Sequence, residues 1–176
     1  KGSGSGYKIS NVNTDIINKR SIVFINNDDV MCMARAISVC VGKMKDDPQW
    51  RKIIDKHANL QTRRALELYE KECVPTERAS TINDITKFEE VIKMRIIVLD
   101  SGLGNRPMYV SKKSYPECIF LYRVKEHFHS IINPTGFYAK SYFCIKCIKP
   151  YNSLKKHQCD TTCLTCMCDK CPQTVN

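Results

Sequence analysis

No run of apolar residues in this 176-residue chain approaches the ~20 that a helix needs to cross a bilayer, so we expect no membrane span. The sequence also has no charged and apolar leader of the secretory type, and we therefore expect an intracellular protein, cytoplasmic or nuclear, that is not secreted. Internal repeats and low-complexity tracts are absent. The opening KGSGSG is typical of an engineered linker, and we assign residues 1–20 to that linker and a lead-in arm.

Acidic residues are few relative to basic ones, 18 against 28, which gives a formal net charge of +10. Much of this excess lies near the two ends, since residues 1–20 carry a net +3 and residues 140–176 a net +4. The long middle region is nearly balanced. A nucleic-acid-binding central domain is therefore not indicated by charge, although the basic tail is a candidate for contact with DNA.

Cysteine is scarce in the first 143 residues and crowded in the last 33, which hold seven of the eleven. Disulfide frameworks usually spread cysteines through a short secreted chain, so this distribution favours bound metal in a reducing compartment. Cys40, Cys73 and Cys118 lie on apolar faces of predicted elements, and we expect them in the core.

The order of predicted elements indicates an α+β fold, with helices packed on a small mixed or antiparallel sheet. We expect a domain over residues 21–137 and a cysteine-rich module over residues 138–176, with the boundary near Gly136. A short strand (21–25) precedes a helix that starts near Cys32, a helix-forming stretch ended by Pro75, and a helix over 81–92. A meander of four strands follows at 95–100, 107–112, 118–124 and 127–133.

Cys32 lies where the first long helix is expected to begin, in the stretch NNDDVMCMARAI. A helix N-terminus lowers the pKa of a thiol and offers free N–H groups to an oxyanion. A nucleophilic thiol also needs a base, and His127 at the start of a later strand is a candidate. The alternative is that Cys32 is a small core residue.

The stretch DVMCMARA, with Asp29, Cys32, Arg35 and Ala36, resembles the cysteine motif of the OTU (ovarian tumour) family of cysteine proteases, although Val30 and Met31 replace the usual Gly and Asn. HFHSI, from His127, is similar to the histidine motif of that family and lies about 95 residues later. The resemblance implies a papain-like fold with Cys32 as nucleophile and His127 as general base. It implies that Asp29 shapes the loop that forms the oxyanion hole.

The third catalytic residue implied by the resemblance is open. The family often has Asn or Asp two residues after the histidine, where this chain has His129. His129 is a candidate for orienting His127, and its alternative is a partly exposed strand residue. Asp15 and Asn133 are further candidates, and an orienting group need not exist.

A longer resemblance runs from about residue 21 to residue 166. It is to the OTU-like and cysteine-rich region that precedes the polymerase in protein-primed family B DNA polymerases of Polinton (Maverick) transposons and related viruses. The residues that carry it include LQTRRALELYEKECVP, SYFCIKCIKPYN and HQCDTTCLTC. No exonuclease or polymerase motif lies within these residues, so polymerase activity is not implied for them.

The tail has the spacing of two structural zinc sites. A first set of four ligands combines a Cys-x2-Cys pair with a later His-x-Cys pair, and a second set has four thiols within nine residues. Cys159 can alternatively belong to the second set. With two Zn²⁺ ions and seven thiolates the tail carries a charge of about +1. The first set is Cys144, Cys147, His157 and Cys159, and the second is Cys163, Cys166, Cys168 and Cys171.

These observations predict a monomeric OTU-like thiol protease with one or two structural zinc ions. The resemblance implies a deubiquitinase that acts on ubiquitin or a ubiquitin-like modifier. A protease that processes its own polyprotein would use the same chemistry. The rival hypothesis is a non-catalytic, zinc-stabilised module of a transposon or viral polymerase that binds DNA or protein.

Overall fold

The computed structural model describes residues 20–55, 59–72, 78–157 and 159. The chain forms two compact units that divide between Ile132 and Asn133. The second unit therefore begins slightly before the boundary that we predicted near Gly136. Each unit is described separately below.

Within the described residues, the first unit contains four α-helices and a five-stranded sheet, which makes it an α+β structure as predicted. Among the described residues, no helix has the length and apolar character of a membrane span. The helices are α1 (Cys32–Met44), α2 (Trp50–Ile54), α3 (Leu60–Glu72) and α4 (Ile85–Ile92). The strands are β1 (Ile22–Val23), β2 (Arg95–Asp100), β3 (Arg106–Val110), β4 (Cys118–Val124) and β5 (His127–Ile131).

The sheet has the strand order β1–β5–β4–β2–β3, and it is mixed. The prediction of a simple meander was wrong, because β2 and β4 pair in parallel with Ile97 opposite Phe120. Strand β3 pairs antiparallel with the far side of β2, so the chain must cross back over β2 before it forms β4. The near-continuous apolar runs of β2 and β4 are consistent with this central position, because central strands are buried on both faces.

Helix α1 packs on β5 and β4 and forms the centre of the hydrophobic core. Met33, Ala36 and Ile37 of α1 are completely buried, as is Leu121 of β4. The predicted core positions of Cys40 and Cys118 are confirmed, while Cys73 lies outside the described residues. Cys32 is the first residue of α1, and His127 is the first residue of β5. The two residues therefore lie on elements that pack against each other.

The helix-forming stretch ended by Pro75 is divided into α2 and α3. Asp55 follows α2 with an extended backbone (φ −74°, ψ 115°), and this conformation ends the helix. The amide of Gln61 on α3 then donates to the carbonyl of Ile53 at 2.9 Å, so a side chain satisfies an acceptor at the end of α2. Apolar periodicity alone did not predict this break.

The second unit is small and contains α5 (Pro134–Tyr138) and a two-stranded hairpin of β6 (Tyr142–Cys144) and β7 (Lys149–Tyr151). Asn133 caps α5, since its side-chain oxygen accepts from the backbone N–H of Gly136 at 3.1 Å. The hairpin turn carries Cys147, and Cys144 ends β6.

Candidate active site and metal centre

Cys32 is the first residue of α1 and its side chain is nearly covered, with 8% exposure. Burial raises the pKa of its thiol, while the backbone N–H groups of Phe128, Met33 and Cys32 itself act in the opposite direction. Because the net pKa is raised, Cys32 is a thiol rather than a thiolate at neutral pH.

His127 is hydrogen-bonded through Nε2 to the carbonyl oxygen of Ile25 at 2.9 Å. A carbonyl oxygen only accepts, so Nε2 carries the proton of the neutral ring and Nδ1 is the basic nitrogen. Burial lowers the pKa of His127, and the Ile25 carbonyl and the charge of Asp29 partly offset this. His127 is therefore neutral at neutral pH, as a general base must be.

His129 is completely buried, so the alternative of a partly exposed strand residue was wrong. Ser130 faces α1, where its Oγ donates to the Ala36 carbonyl at 2.9 Å, so the His129 ring lies on the other face of β5, 5.0 Å from Phe24. Its Nδ1 accepts from the backbone N–H of Ile25 at 3.2 Å. Burial and the neighbouring His127 lower the pKa of His129 to about 3. His129 is therefore a neutral acceptor that binds Ile25.

The candidates for the residue that orients His127 lie in different parts of the chain. His127 Nε2 is hydrogen-bonded to the Ile25 carbonyl, which the sequence did not indicate. Asn133 caps α5 in the second unit, and Asp15 lies outside the described residues. A backbone carbonyl has no sequence signature, because every residue carries one.

Asp29 holds the loop that leads into α1. Its Oδ1 accepts from the backbone N–H of Met31 at 2.8 Å and from the amide of Asn27 at 2.7 Å. The guanidinium of Arg35, one turn into α1, binds both carboxylate oxygens. Burial opposes ionisation of Asp29, but Arg35 and the Met31 N–H outweigh it and hold the pKa of this carboxyl below its usual value.

Two further contacts to this loop were missed by sequence reasoning. The Arg35 Nη1 donates to Gln61 Oε1 at 3.4 Å, which links the Asp29–Arg35 pair to α3. Tyr69 donates to the carbonyl of Val30 at 3.4 Å, and its hydroxyl also lies 2.5 Å from that of Ser80. Tyr69 and Gln61 are on one face of α3, but amphipathic spacing marks such residues only as core positions.

The second unit brings the first predicted ligand set together. The ligand atoms of Cys144, Cys147, His157 and Cys159 all lie within 4.8 Å of one another, and this group can hold a metal ion. The Cys144 and Cys159 sulfurs are 3.4 Å apart, and Cys147 Sγ is 3.6 Å from His157 Nε2. Around a tetrahedral zinc ion, neighbouring thiolate sulfurs lie about 3.8 Å apart, so the four residues fit such an ion.

Ring stacking holds His157 in place within this cluster. Tyr151 of β7 stacks on the His157 ring, with centroids 4.1 Å apart and planes at 11°. Tyr142 of β6 stacks in turn on Tyr151, with ring centroids 5.3 Å apart. These contacts fix the ring plane that presents Nε2 to the three sulfurs. The second predicted ligand set, from Cys163 to Cys171, lies outside the described residues.

Comparison with known proteins gave no match: no protein family, no curated protein and no solved structure matches this chain. The candidate site therefore has to be interpreted from its own geometry and from the two motifs that the sequence carries.

Proposed function

We propose that the first unit is an OTU-like thiol protease in which Cys32 is the nucleophile and His127 the general base. One observation carries this proposal: α1, which begins at Cys32, packs on β5, which begins at His127. Helix α1 supplies the thiol and the backbone N–H groups of its first turn, and β5 supplies the neutral imidazole; the two elements pack on each other. These are the groups that acyl transfer needs.

In this mechanism the Cys32 thiol transfers its proton to His127 Nδ1 as the sulfur attacks the substrate carbonyl carbon. Backbone N–H groups at the start of α1 stabilise the resulting oxyanion. The imidazolium then protonates the leaving amine, the C–N bond breaks, and a thioester remains on Cys32. His127 next removes a proton from water, which attacks the thioester, and the carboxylate product leaves as the thiol regains its proton.

We propose as substrate the isopeptide bond at the C-terminus of ubiquitin or a ubiquitin-like modifier. The support is the motif resemblance of DVMCMARA and HFHSI to the OTU family, whose members mostly cleave that bond. A peptide bond in a polyprotein would undergo the same steps, and the two substrates differ only in the binding surface that they require.

Reaction with a ubiquitin probe that carries a C-terminal electrophile tests the proposal. We expect a covalent adduct on Cys32 that is lost in Cys32→Ala. Cys118→Ala is the matched control, since Cys118 is also a buried thiol but lies on β4 with its pKa raised to about 11 by burial. An adduct that persists in Cys32→Ala, or no adduct with the wild-type protein, would contradict the assignment of a deubiquitinase.

We propose that the metal in the second unit is a structural zinc ion. Three thiolates and an imidazole occupy all four positions of a tetrahedral ion, so no position is left for water or substrate. In a unit this small a bound ion replaces much of a hydrophobic core. The four remaining tail thiols, Cys163, Cys166, Cys168 and Cys171, are proposed to hold a second zinc ion.

A second candidate function is a non-catalytic module that binds DNA through the zinc unit. The burial and raised pKa of Cys32 favour it, because neither assists a nucleophile. Exposed Tyr142 and the exposed Lys155 and Lys156 also offer an aromatic and basic surface. Lys155→Glu with Lys156→Glu should weaken binding to single-stranded DNA and flatten its salt dependence, whereas Lys43→Glu on α1 should not. Absence of salt-sensitive binding by the wild-type chain would exclude this function.

A further inference from the structure

Ile25 is bound on both sides of its backbone by histidines of the same strand. Its N–H donates to His129 Nδ1 at 3.2 Å, and its carbonyl accepts from His127 Nε2 at 2.9 Å. His127 and His129 are two residues apart on β5, with ring centroids 4.8 Å apart. Ile25 itself is 2% exposed, so water cannot readily replace either partner.

We propose that His129 is a positioning residue that acts on His127 through the backbone of Ile25. By accepting the Ile25 N–H it fixes the orientation of this segment, and the fixed Ile25 carbonyl then selects the tautomer of His127 that leaves Nδ1 basic. This inference rests on the proposed function for its catalytic meaning. It replaces the direct His127–His129 contact implied by the family motif with an indirect one.

The chemistry of the two hydrogen bonds assigns a proton to each ring. His129 accepts at Nδ1, so its neutral ring carries the proton on Nε2. That Nε2 is buried and has no hydrogen-bond partner within the described part of the chain. An unpaired buried donor is unfavourable, and an apolar side chain of similar size would fill the same space without one. The histidine is therefore explained by its Nδ1 acceptor, which the Ile25 N–H requires.

Asp29 and His129 are two titratable groups that act on His127, and they act in different ways. Asp29 acts on His127 through its charge, yet its oxygens are occupied by Met31, Asn27 and Arg35. Cys32 lies at the start of α1, the helix that packs on β5. His129 is neutral at neutral pH, since burial holds its pKa near 3, so it contributes no charge to the site. What it contributes is geometry.

Three substitutions at one position separate an acceptor from mere bulk. His129→Asn retains an acceptor oxygen where Nδ1 stands, because both atoms are bonded to Cγ. His129→Gln moves the acceptor one bond further away, and His129→Leu removes it. We expect His127 in the leucine variant to lose its uniform Nε2–H tautomer and its pKa to change, with the asparagine variant restoring wild-type behaviour.

The measurement is a pH series of long-range ¹H–¹⁵N spectra of the histidine rings in the full chain, with His127 assigned from His127→Asn. The rate of Cys32 alkylation by iodoacetamide at pH 7 is the second readout. It should fall about fivefold in His129→Leu, the equivalent of the net contribution of one hydrogen bond, and stay within about twofold in His129→Asn. If the leucine variant does not fold, His129→Gln carries the same expectation.

An unchanged His127 tautomer and alkylation rate in His129→Leu would overturn the proposal, as would an Nδ1–H tautomer of His127 in the wild-type protein. Equal loss in the asparagine and leucine variants would also overturn it, because it would show that the acceptor is not what matters. Failure of the proposed function is distinguishable, since it appears as absence of the ubiquitin-probe adduct while the tautomer shift in His129→Leu is still observed.

Discussion

Asp29 and Arg35 form a two-point ion pair across the first turn of α1, with Arg35 Nε at 3.3 Å from Oδ1 and 3.1 Å from Oδ2. Asp29 also accepts from the backbone N–H of Met31, so the carboxylate joins the loop to the helix that carries Cys32. The guanidinium is well shielded from solvent, with 11% side-chain exposure. This pair therefore determines how Cys32 and its neighbouring N–H groups are held.

Arg35→Lys should destabilise the first unit and slow any reaction at Cys32. An ammonium cannot reproduce the planar two-point contact or the additional contact with Gln61, and losing these bonds should cost about 1–2 kcal/mol. The matched control is Arg64→Lys, whose longer 3.5 Å contact with Asp47 is more exposed and should change stability by less than about 0.5 kcal/mol. Urea unfolding and probe labelling of both variants provide the comparison, and equal effects would contradict this role for Arg35.

The stability of the first unit should fall as the pH is lowered from about 6.5 towards 3. Burial lowers the pKa of His129 to about 3 in the folded chain, while an unfolded histidine titrates near 6.5. Between these values the unfolded state binds more protons, so stability rises with pH and is lost on acidification, by about 1.4 kcal/mol per pH unit. His127 adds to this in the same direction, because its pKa is also lowered.

Unfolding midpoints measured from pH 7 to pH 4 check this expectation. His129→Asn should reduce the pH slope by removing one titrating group, whatever its effect on stability at pH 7. Glu90→Gln is the control for the range from pH 7 to pH 5, where it should leave the slope nearly unchanged, since the carboxyl of Glu90, exposed and paired with Lys113, has a pKa below the ordinary value and binds few protons there. A slope that is the same in the wild-type protein and in His129→Asn would refute the role of His129 in acid sensitivity.

Sequence periodicity predicted the elements of the first unit better than their arrangement. The limits of β2 and β4 and the start of α1 at Cys32 agree with the structure, because these are apolar runs or lie next to turn residues. The parallel pairing of β2 with β4 was missed, since the short hairpin-like spacing along the chain suggested a meander. Which side of β2 each strand takes depends on long-range packing, which local patterns do not contain.

The candidate site shows the same division. Spacing and motif selected Cys32, Asp29 and His127 as candidates, and the first predicted metal ligand set is brought together in the structure. The role of Ile25 was invisible, since its contribution comes entirely from backbone atoms. The complete burial of His129 was missed for a related reason, namely that an alternating strand pattern does not show when both faces are covered.

Alkylation of Cys32 should become fast only at high pH. Burial raises the pKa of this thiol above its ordinary value near 9, so the reactive thiolate fraction should grow about tenfold per pH unit through neutrality. Peptide mapping by mass spectrometry, with Cys32→Ala as reference, follows this site among the other thiols. A plateau below pH 8 would instead indicate a preformed thiolate–imidazolium pair and would contradict the neutral pair described above.

The second unit should lose its fold when its metal is removed. Its hairpin buries few side chains, among them Cys147 and Ile148, and the four ligands draw β6, β7 and the segment around His157 together. Chelation should therefore collapse the amide spectrum of residues 142–157 while that of residues 95–131 persists. Metal analysis of the wild-type chain should give up to two zinc ions.

Cys147→Ser should reduce the bound zinc by one ion per chain, because a serine hydroxyl is a much poorer zinc ligand than a thiolate. Cys118→Ser is the matched control, since it makes the same change at a buried thiol of β4 that is not one of the four ligands.

Tyr151→Leu should retain the ion but weaken its binding about tenfold, because the stacked ring that orients His157 is lost. Zinc content that is equal in Cys147→Ser and Cys118→Ser would show that the cluster does not hold the metal, and the hairpin would then have to be stabilised by its stacked aromatic rings alone.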